Sequence, residues 1–131
     1  MTVGPVARDA ATAEFFDGAT AGKFLIRCCP EGHFSEPPAA QCTTCASTAL
    51  RWEAARGGAS LVSWAVAWSR PAGDGEPQST VLVIAELDEG PWWWSQLVDA
   101  DPATLAVGQR LTIQFRRAGA DDEAVPVFVL A

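Results

Sequence analysis

Arg27-Cys28-Cys29-Pro30-Glu31-Gly32-His33-Phe34-Ser35-Glu36-Pro37-Pro38-Ala39-Ala40-Gln41-Cys42-Thr43-Thr44-Cys45 holds all four cysteines and the only histidine of the chain. The spacing Cys42-x-x-Cys45 makes a good half-site. A tight turn there aims two thiolates at one ion while its backbone N–H groups bond to the sulfurs. The other half is imperfect. A second knuckle would read Cys-x-x-Cys-Gly, and Cys28-Cys29-Pro30-Glu31-Gly32 has Glu31 where its second cysteine should stand. Cys28, Cys42 and Cys45 are therefore the expected sulfur ligands. The fourth donor is Glu31 in place, His33 by a small loop shift, or Cys29 if the turn slips by one. Zinc accepts S, N and O donors in a tetrahedron, so the metal excludes none of them. The competing reading is a ribbon that has lost its metal and holds by packing. A bound zinc would be structural, because a small ribbon has little core and forming such a site contributes on the order of 10 kcal/mol at neutral pH. A catalytic zinc needs an open position and a base, and His33 is the single imidazole for either duty.

Outward from this segment, 131 residues make one domain of ordinary size, or a small module attached to one. An apolar content of 49% with six Trp is enough for a real core and argues against disorder. A net charge of −7, with nine scattered Lys and Arg, argues against nucleic acid as a partner. No charged-then-apolar leader opens the chain, and no apolar run reaches the length of a membrane span. Cysteines gathered into one segment point to a metal site in a reducing compartment, so the expected location is cytoplasmic.

In chain order, residues 1–8 read as a loose arm. Asp9 is placed to cap a short helix with Ala13, Phe16 and Ala19 or Thr20 on one face, limited by Gly18 and Gly22. Phe15 and Phe16 are adjacent, so both are not expected to point into the same small core. Its roles are a lid on the domain or a docking element for another protein. Lys23–Arg27 leads as a strand into the cysteine segment, Pro37-Pro38 stiffens the connecting loop, and Ala49–Glu53 closes the ribbon.

After Gly57-Gly58 the pattern turns to β. Leu61–Ser69 alternates, with Val62, Trp64, Val66 and Trp68 on one side and Leu61, Ser63, Ala65 and Ala67 on the other. Residues 71–79 read as a loop. Thr80–Leu87 is the most apolar strand, Asp88-Glu89-Gly90 a turn, and Trp92–Val98 its hairpin partner. Asp101-Pro102 opens one helical turn through Leu105. Leu111–Arg116 alternates again, and Val125–Leu130 is a last strand with Pro126 near its start, as on a sheet edge. Five strands with a short helix between the third and fourth is the OB-fold layout. The expected fold is mainly β: an arm and helix over 1–22, a zinc-ribbon-like unit over 23–56, and a five-stranded OB-fold barrel over 57–131.

Taken in order, Glu14-Phe15-Phe16-Asp17-Gly18, Lys23–Cys28, Pro37-Pro38 before Cys42-x-x-Cys45, Trp52, Gly57-Gly58, Ser63–Val66, Ala85–Gly90, Leu105–Gly108 and Val125–Phe128 resemble the DUF35 proteins. These join a rubredoxin-like zinc ribbon to an acyl-CoA-associated OB-fold. Each motif alone is weak, and the ordered set covers nearly the whole chain. Glu31 at a family cysteine position is the departure. The resemblance implies an accessory subunit that binds a thiolase-like enzyme: a thiolase, a lipid-transfer-type aldolase acting on acyl-CoA thioesters, or an acyltransferase. It also implies a part in shaping the partner's CoA channel, with the nucleophile on the partner, in a hetero-oligomer.

The residues agree with a non-catalytic role. A Ser-His-Asp or Cys-His machine would need His33, which sits among competing thiolates, and Cys29 as a free nucleophile has no second base. Glu86 and Asp88 read as turn chemistry before a carboxylate pair. Along Trp92-Trp93-Trp94, Trp93 points opposite to its neighbours, so one set fills a core and the other needs a cover. That cover is the ribbon, the helix, a partner or an acyl groove. Phe15, Phe16, Trp64, Trp68, Trp92, Trp93 and Trp94 are the candidate partner or acyl-CoA surface. Arg70, Arg110, Arg116 and Arg117 are the cations available for CoA phosphates, with Arg116 and Arg117 as a local basic pair or plain solvated surface. The alternative is a stand-alone OB-fold that binds a ligand or single-stranded nucleic acid by ring stacking, disfavoured by the missing basic groove.

Overall fold

The computed structural model describes residues 3–70, 73 and 75–131. Met1 and Thr2 of the arm, and Pro71, Ala72 and Asp74 of the loop, lie outside the described residues. Helix α1 spans Ala13–Thr20. A small antiparallel sheet follows, β1 (Leu25–Cys28), β2 (Phe34–Ser35) and β3 (Arg51–Ala54), in the order β2-β1-β3. The rest is β4 (Gly58–Ser69), β5 (Gln78–Leu87), β6 (Trp92–Leu97), a 3-10 turn Pro102–Thr104, β7 (Arg110–Arg116) and β8 (Val125–Leu130). These strands close in the order β4-β5-β6-β8-β7, with β7 paired back onto β4. The architecture is the expected zinc-ribbon-like unit followed by a five-stranded OB barrel. Asp101 caps the 3-10 turn, its carboxylate accepting from the Ala103 N–H at 2.9 Å with Pro102 in the first position. No helix among the described residues is long and apolar enough to cross a membrane.

Sequence alternation explains most of the barrel. Val81, Val83, Ala85 and Leu87 of β5 are buried, as are Leu111 and Ile113 of β7. The strand β4 breaks the rule. Ala59 and Leu61 face the core opposite Leu87 and Ala85, and a bulge then separates Leu61 from Ser63. Beyond it, Trp64 and Val66 pair with the buried Val83 and Val81. Leu61 therefore shares a face with Trp64 and not with Ser63, Ala65 and Ala67, because one inserted residue rephases every side chain after it. The far ends of β4 and β5 run on as a two-stranded arm, where Trp68 pairs with Ser79 and is 69% exposed.

Three other expectations are corrected. Pro126 lies on no free edge, for β8 pairs with β7 along its length and meets β6 in a parallel contact at Leu97 and Phe128. The Pro126 carbonyl instead accepts the Ser95 hydroxyl at 2.6 Å, so β6 approaches through a side chain where the ladder is interrupted. Phe15 and Phe16 are both buried in the same core cluster, their rings meeting edge to face with centroids 5.4 Å apart. Finally, the arm is pinned at Arg8, whose guanidinium holds both Glu123 carboxylate oxygens (3.0 and 2.8 Å) and Asp17 (2.7 Å).

At the seam where β4 meets β7, Arg110 grips Asp88 through two bonds of 2.9 Å each. A Cβ on Gly58 would strike both the Asp88 carboxylate and the Arg110 guanidinium, so this close approach requires glycine.

The Arg110 hydrogen bond holds the Asp88 carboxyl below its ordinary 3.8, and the Arg8 hydrogen bond holds Glu123 below its ordinary 4.5. Both folded values lie under the unfolded ones, so the unfolded chain takes up protons first as acid is added. The stability these pairs contribute is complete above about pH 5.5 and falls as the pH drops through the lowered values. Melting temperature followed from pH 7 to pH 3 is expected to fall less steeply in an Arg8→Met, Arg110→Met double variant than in the parent chain.

Candidate functional site

Strand β1 decides which cysteine faces the metal loop. Phe24, Ile26 and Cys28 alternate onto its buried side, which sends the Cys28 sulfur inward, where burial pushes its thiol pKa up. Cys29 is the first residue past the strand and opens the turn. Its carbonyl accepts the Gly32 N–H at 3.0 Å, and its N–H closes on the His33 carbonyl at 3.0 Å, with Gly32 at φ +86°. The turn thus begins at Cys29 and not at Cys28, and it brings His33 beside the Cys29 sulfur.

The ligating atoms of Cys29, His33, Cys42 and Cys45 all lie within 4.8 Å of one another. Cys28 and Glu31 stand outside this group; Glu31 is exposed on the turn. The Cys29 and Cys45 sulfurs are 3.8 Å apart, and His33 Nδ1 is 3.4 Å from the Cys29 sulfur. A tetrahedral ion with metal–sulfur bonds of about 2.3 Å sets its sulfurs about 3.8 Å apart, so four donors at these separations could hold a metal ion. The backbone is arranged for thiolates as well. Cys45 and Thr44 direct N–H groups at the Cys42 sulfur (3.5 and 3.3 Å), and these bonds, the Cys45 one foremost, hold its pKa down to about 6. Directly after the pair, Ala46 takes φ +61° and donates to the Cys42 carbonyl at 2.9 Å. A non-glycine residue in that conformation costs about 1 kcal/mol and persists because the knuckle requires the turn.

The second region is aromatic. Strand β6 pairs with β5 so that Trp93 opposes Ala85 on the core side, while Trp92 and Trp94 oppose Glu86 and Ile84 outside. Trp93 packs on Phe24 (5.4 Å between centroids) and Phe15 (5.9 Å). Trp92 and Trp94 are 52% and 71% exposed, and with Leu82 at 48% they form an apolar outer face. The nine candidate surface residues thus divide. Phe15, Phe16 and Trp93 belong to the interior seam, Trp64 is half-buried on the core side, and Trp68, Trp92 and Trp94 are open. Arg116 is held by Asp99 (2.9 Å) and Gln114, and Arg117 by the Asp122 carbonyl (2.8 Å). Neither guanidinium is free of a local acceptor.

A cleft of about 770 Å³ runs between α1, the ribbon and β6, walled by Phe15, Phe16, Trp52, Trp93, Val125 and Pro126. Arg27 stands at its edge with its guanidinium carbon 4.3 Å above the Trp52 ring. Arg27 and Trp52 lie within the ordered stretches of the resemblance, and neither was among the candidate site residues. The signal in the chain was the position of Arg27 between the inward-facing Ile26 and Cys28.

The model of the ChsH2 C-terminal OB-fold domain matches residues 52–116. A DUF35 domain-containing scaffold protein of Pyrococcus furiosus is 25% identical over 95 residues, which is 72% of this chain and 70% of that protein. A solved Ltp2-ChsH2(DUF35) aldolase superposes with a TM-score of 0.79 at 25% identity, covering 95% of this chain and 98% of the other. Family model, relative and solved structure together support the DUF35 family. A DUF35 protein of unknown function from Sulfolobus solfataricus shares the fold at 13% identity, with a TM-score of 0.63 over 93% of this chain and 86% of that one.

Placement of the donors can be read with cobalt(II) as probe. Reduced protein titrated with cobalt is expected to show strong sulfur-to-metal absorption. That absorption should collapse in Cys29→Ser and persist in Cys28→Ser.

Proposed function

We propose that this chain is a non-catalytic accessory subunit that binds a thiolase-like enzyme and supports its handling of acyl-CoA thioesters. The partner is a thiolase, a lipid-transfer-type aldolase or an acyltransferase. The observation that carries this reading is the likeness, over nearly the full chain, to the DUF35 part of an assembly named for Ltp2 and ChsH2 as an aldolase. The scaffold name of the Pyrococcus relative points the same way. The side chains support it. The one histidine of the sequence turns Nδ1 toward the Cys29 sulfur, which leaves no separate imidazole to activate a nucleophile. Trp92 and Trp94 with Leu82 supply the large, water-exposed apolar area that a stable interface buries at its centre.

The Cys29, His33, Cys42 and Cys45 group is read as a structural zinc site. Three sulfurs and one imidazole nitrogen suit zinc, and a ribbon of three short strands gains its rigidity from such a closure. It would hold the ribbon while the barrel and its outer tryptophans meet the partner.

Affinity purification of the tagged chain from its native cells, analysed by mass spectrometry, is expected to recover a thiolase-fold subunit in a hetero-oligomer. A Trp92→Ser, Trp94→Ser double variant should weaken that recovery about tenfold or more. Elemental analysis of the purified protein should find close to one zinc per chain. Turnover of acyl-CoA at enzymic rates by the isolated chain, or its recovery from native cells as a solitary species, would overturn the accessory role.

A further inference from the structure

The two-stranded arm of β4 and β5 has an open edge with a symmetric sequence. Ser63-Trp64-Ala65-Val66-Ala67-Trp68-Ser69 reads the same in both directions and contains no charge, glycine or proline. On one side β4 pairs with β5 along the whole of this stretch. On the other side β7 accompanies β4 only over Gly58–Ser60, and the last backbone bonds there join Leu61 to Gln109 and Gly108 at 2.9 and 2.8 Å. Beyond Leu61, no strand among the described residues pairs with that edge.

The bulge decides which backbone groups the edge presents. Before it, the Gly58 carbonyl faces β5 and accepts the Asp88 N–H, while Leu61 turns its N–H and carbonyl to the β7 side. One residue is inserted between Leu61 and Ser63, so the alternation resumes with Ser63, Ala65 and Ala67 directed at β5. Trp64, Val66 and Trp68 therefore turn their N–H and C=O groups outward. Their side chains share the face of the arm that carries Val83, Val81 and Ser79, with Val66 37% and Trp68 69% exposed. Protein edges are commonly blocked by a lysine, a proline or an inward charge, and this stretch has none of them.

We propose that this edge joins a second copy of the chain, the two β4 strands running antiparallel about a two-fold axis at Val66. The palindrome selects both the occupant and the register. Centred on Val66, the pairing sets Trp64 opposite the second copy's Trp68, Ala65 opposite its Ala67 and Ser63 opposite its Ser69. Bulky residues then meet bulky ones on one face and small meet small on the other. The outward N–H and C=O groups of Trp64, Val66 and Trp68 bond to those of the other strand. A slide of one residue would turn the two faces against each other. A slide of two toward the barrel would bring Ser69 against Leu61, whose backbone is already bonded to Gln109 and Gly108. The contact is isologous, so it consumes the edge and closes at two copies. It does not rest on the accessory role, because Trp94 pairs with Ile84, which opposes Ser63 on the other face of the sheet.

The test is analytical ultracentrifugation of the full chain, kept reduced with zinc present, from the low micromolar range to about 100 times that concentration. A reversible monomer–dimer equilibrium with nothing larger is expected. Val66→Pro removes an outward N–H and leaves the ladder to β5 whole, so it should weaken dimerisation about tenfold or more while the barrel still melts cooperatively. Val66→Lys and Val66→Glu each set like charges face to face across the axis and should each be monomeric. An equal mixture of the two should dimerise again, which shows that both remain folded. Val107→Ser, an exposed position away from the arm, should leave the equilibrium unchanged. A chain that stays monomeric throughout, with its edge left for a strand of another protein, would overturn the proposal. So would open-ended assembly, a dimer that Val66→Lys leaves intact, or a mixture of the Lys and Glu variants that does not pair.

Discussion

Phe15 meets Phe24, Trp52 and Trp93 at one junction, with centroid separations of 5.9, 6.4 and 5.9 Å. These four rings come from α1, the segment before β1, β3 and β6, so every unit of the chain contributes to the same contact. Neither the helix nor the ribbon could bury its apolar side alone. The helix has eight residues, and the ribbon sheet is three short strands. Isolated helices of that length are marginal in water. Burying a ring of this size contributes about 1.5–3 kcal/mol, and edge-to-face pairs add to it. The junction joins helix, ribbon and barrel in one hydrophobic cluster.

Its position decides what else the molecule can offer. Because Trp93 turns inward to complete the junction, alternation forces Trp92 and Trp94 outward onto the barrel wall. A strand of three tryptophans thereby serves cohesion and exposure at once. The same junction borders an open space, with Phe15, Trp52 and Trp93 on its lining. That space is the cleft whose margin holds Arg27.

Much of this was legible in the chain. The barrel strands, the Trp92–Trp94 alternation and the capped turn at Asp101-Pro102 follow from local periodicity and turn chemistry, and the ordered motifs carried the DUF35 resemblance. The cysteine and histidine cluster was half legible. Cys42-x-x-Cys45 is a local pattern and was read as such. The other knuckle depended on where β1 ends, and Cys28 and Cys29 look alike until one is assigned to a strand that buries Ile26. The bulge in β4 was hidden for a similar reason. Leu61-Val62-Ser63-Trp64 alternates plausibly, and only the pairing with Ala85 and Val83 reveals the extra residue.

By itself the sequence determined the class of the fold, the ribbon-then-barrel order, the sulfur-rich segment and the excess of tryptophan needing cover, because these depend on composition and on contacts a few residues apart. The tertiary structure decided which of two adjacent cysteines joins the donor group, that two neighbouring phenylalanines are both buried, which tryptophans remain in water, and that Arg27 and Trp93 border one cleft. Each of those outcomes depends on residues distant in the chain competing for the same volume, and packing in three dimensions resolves that competition where local pattern cannot.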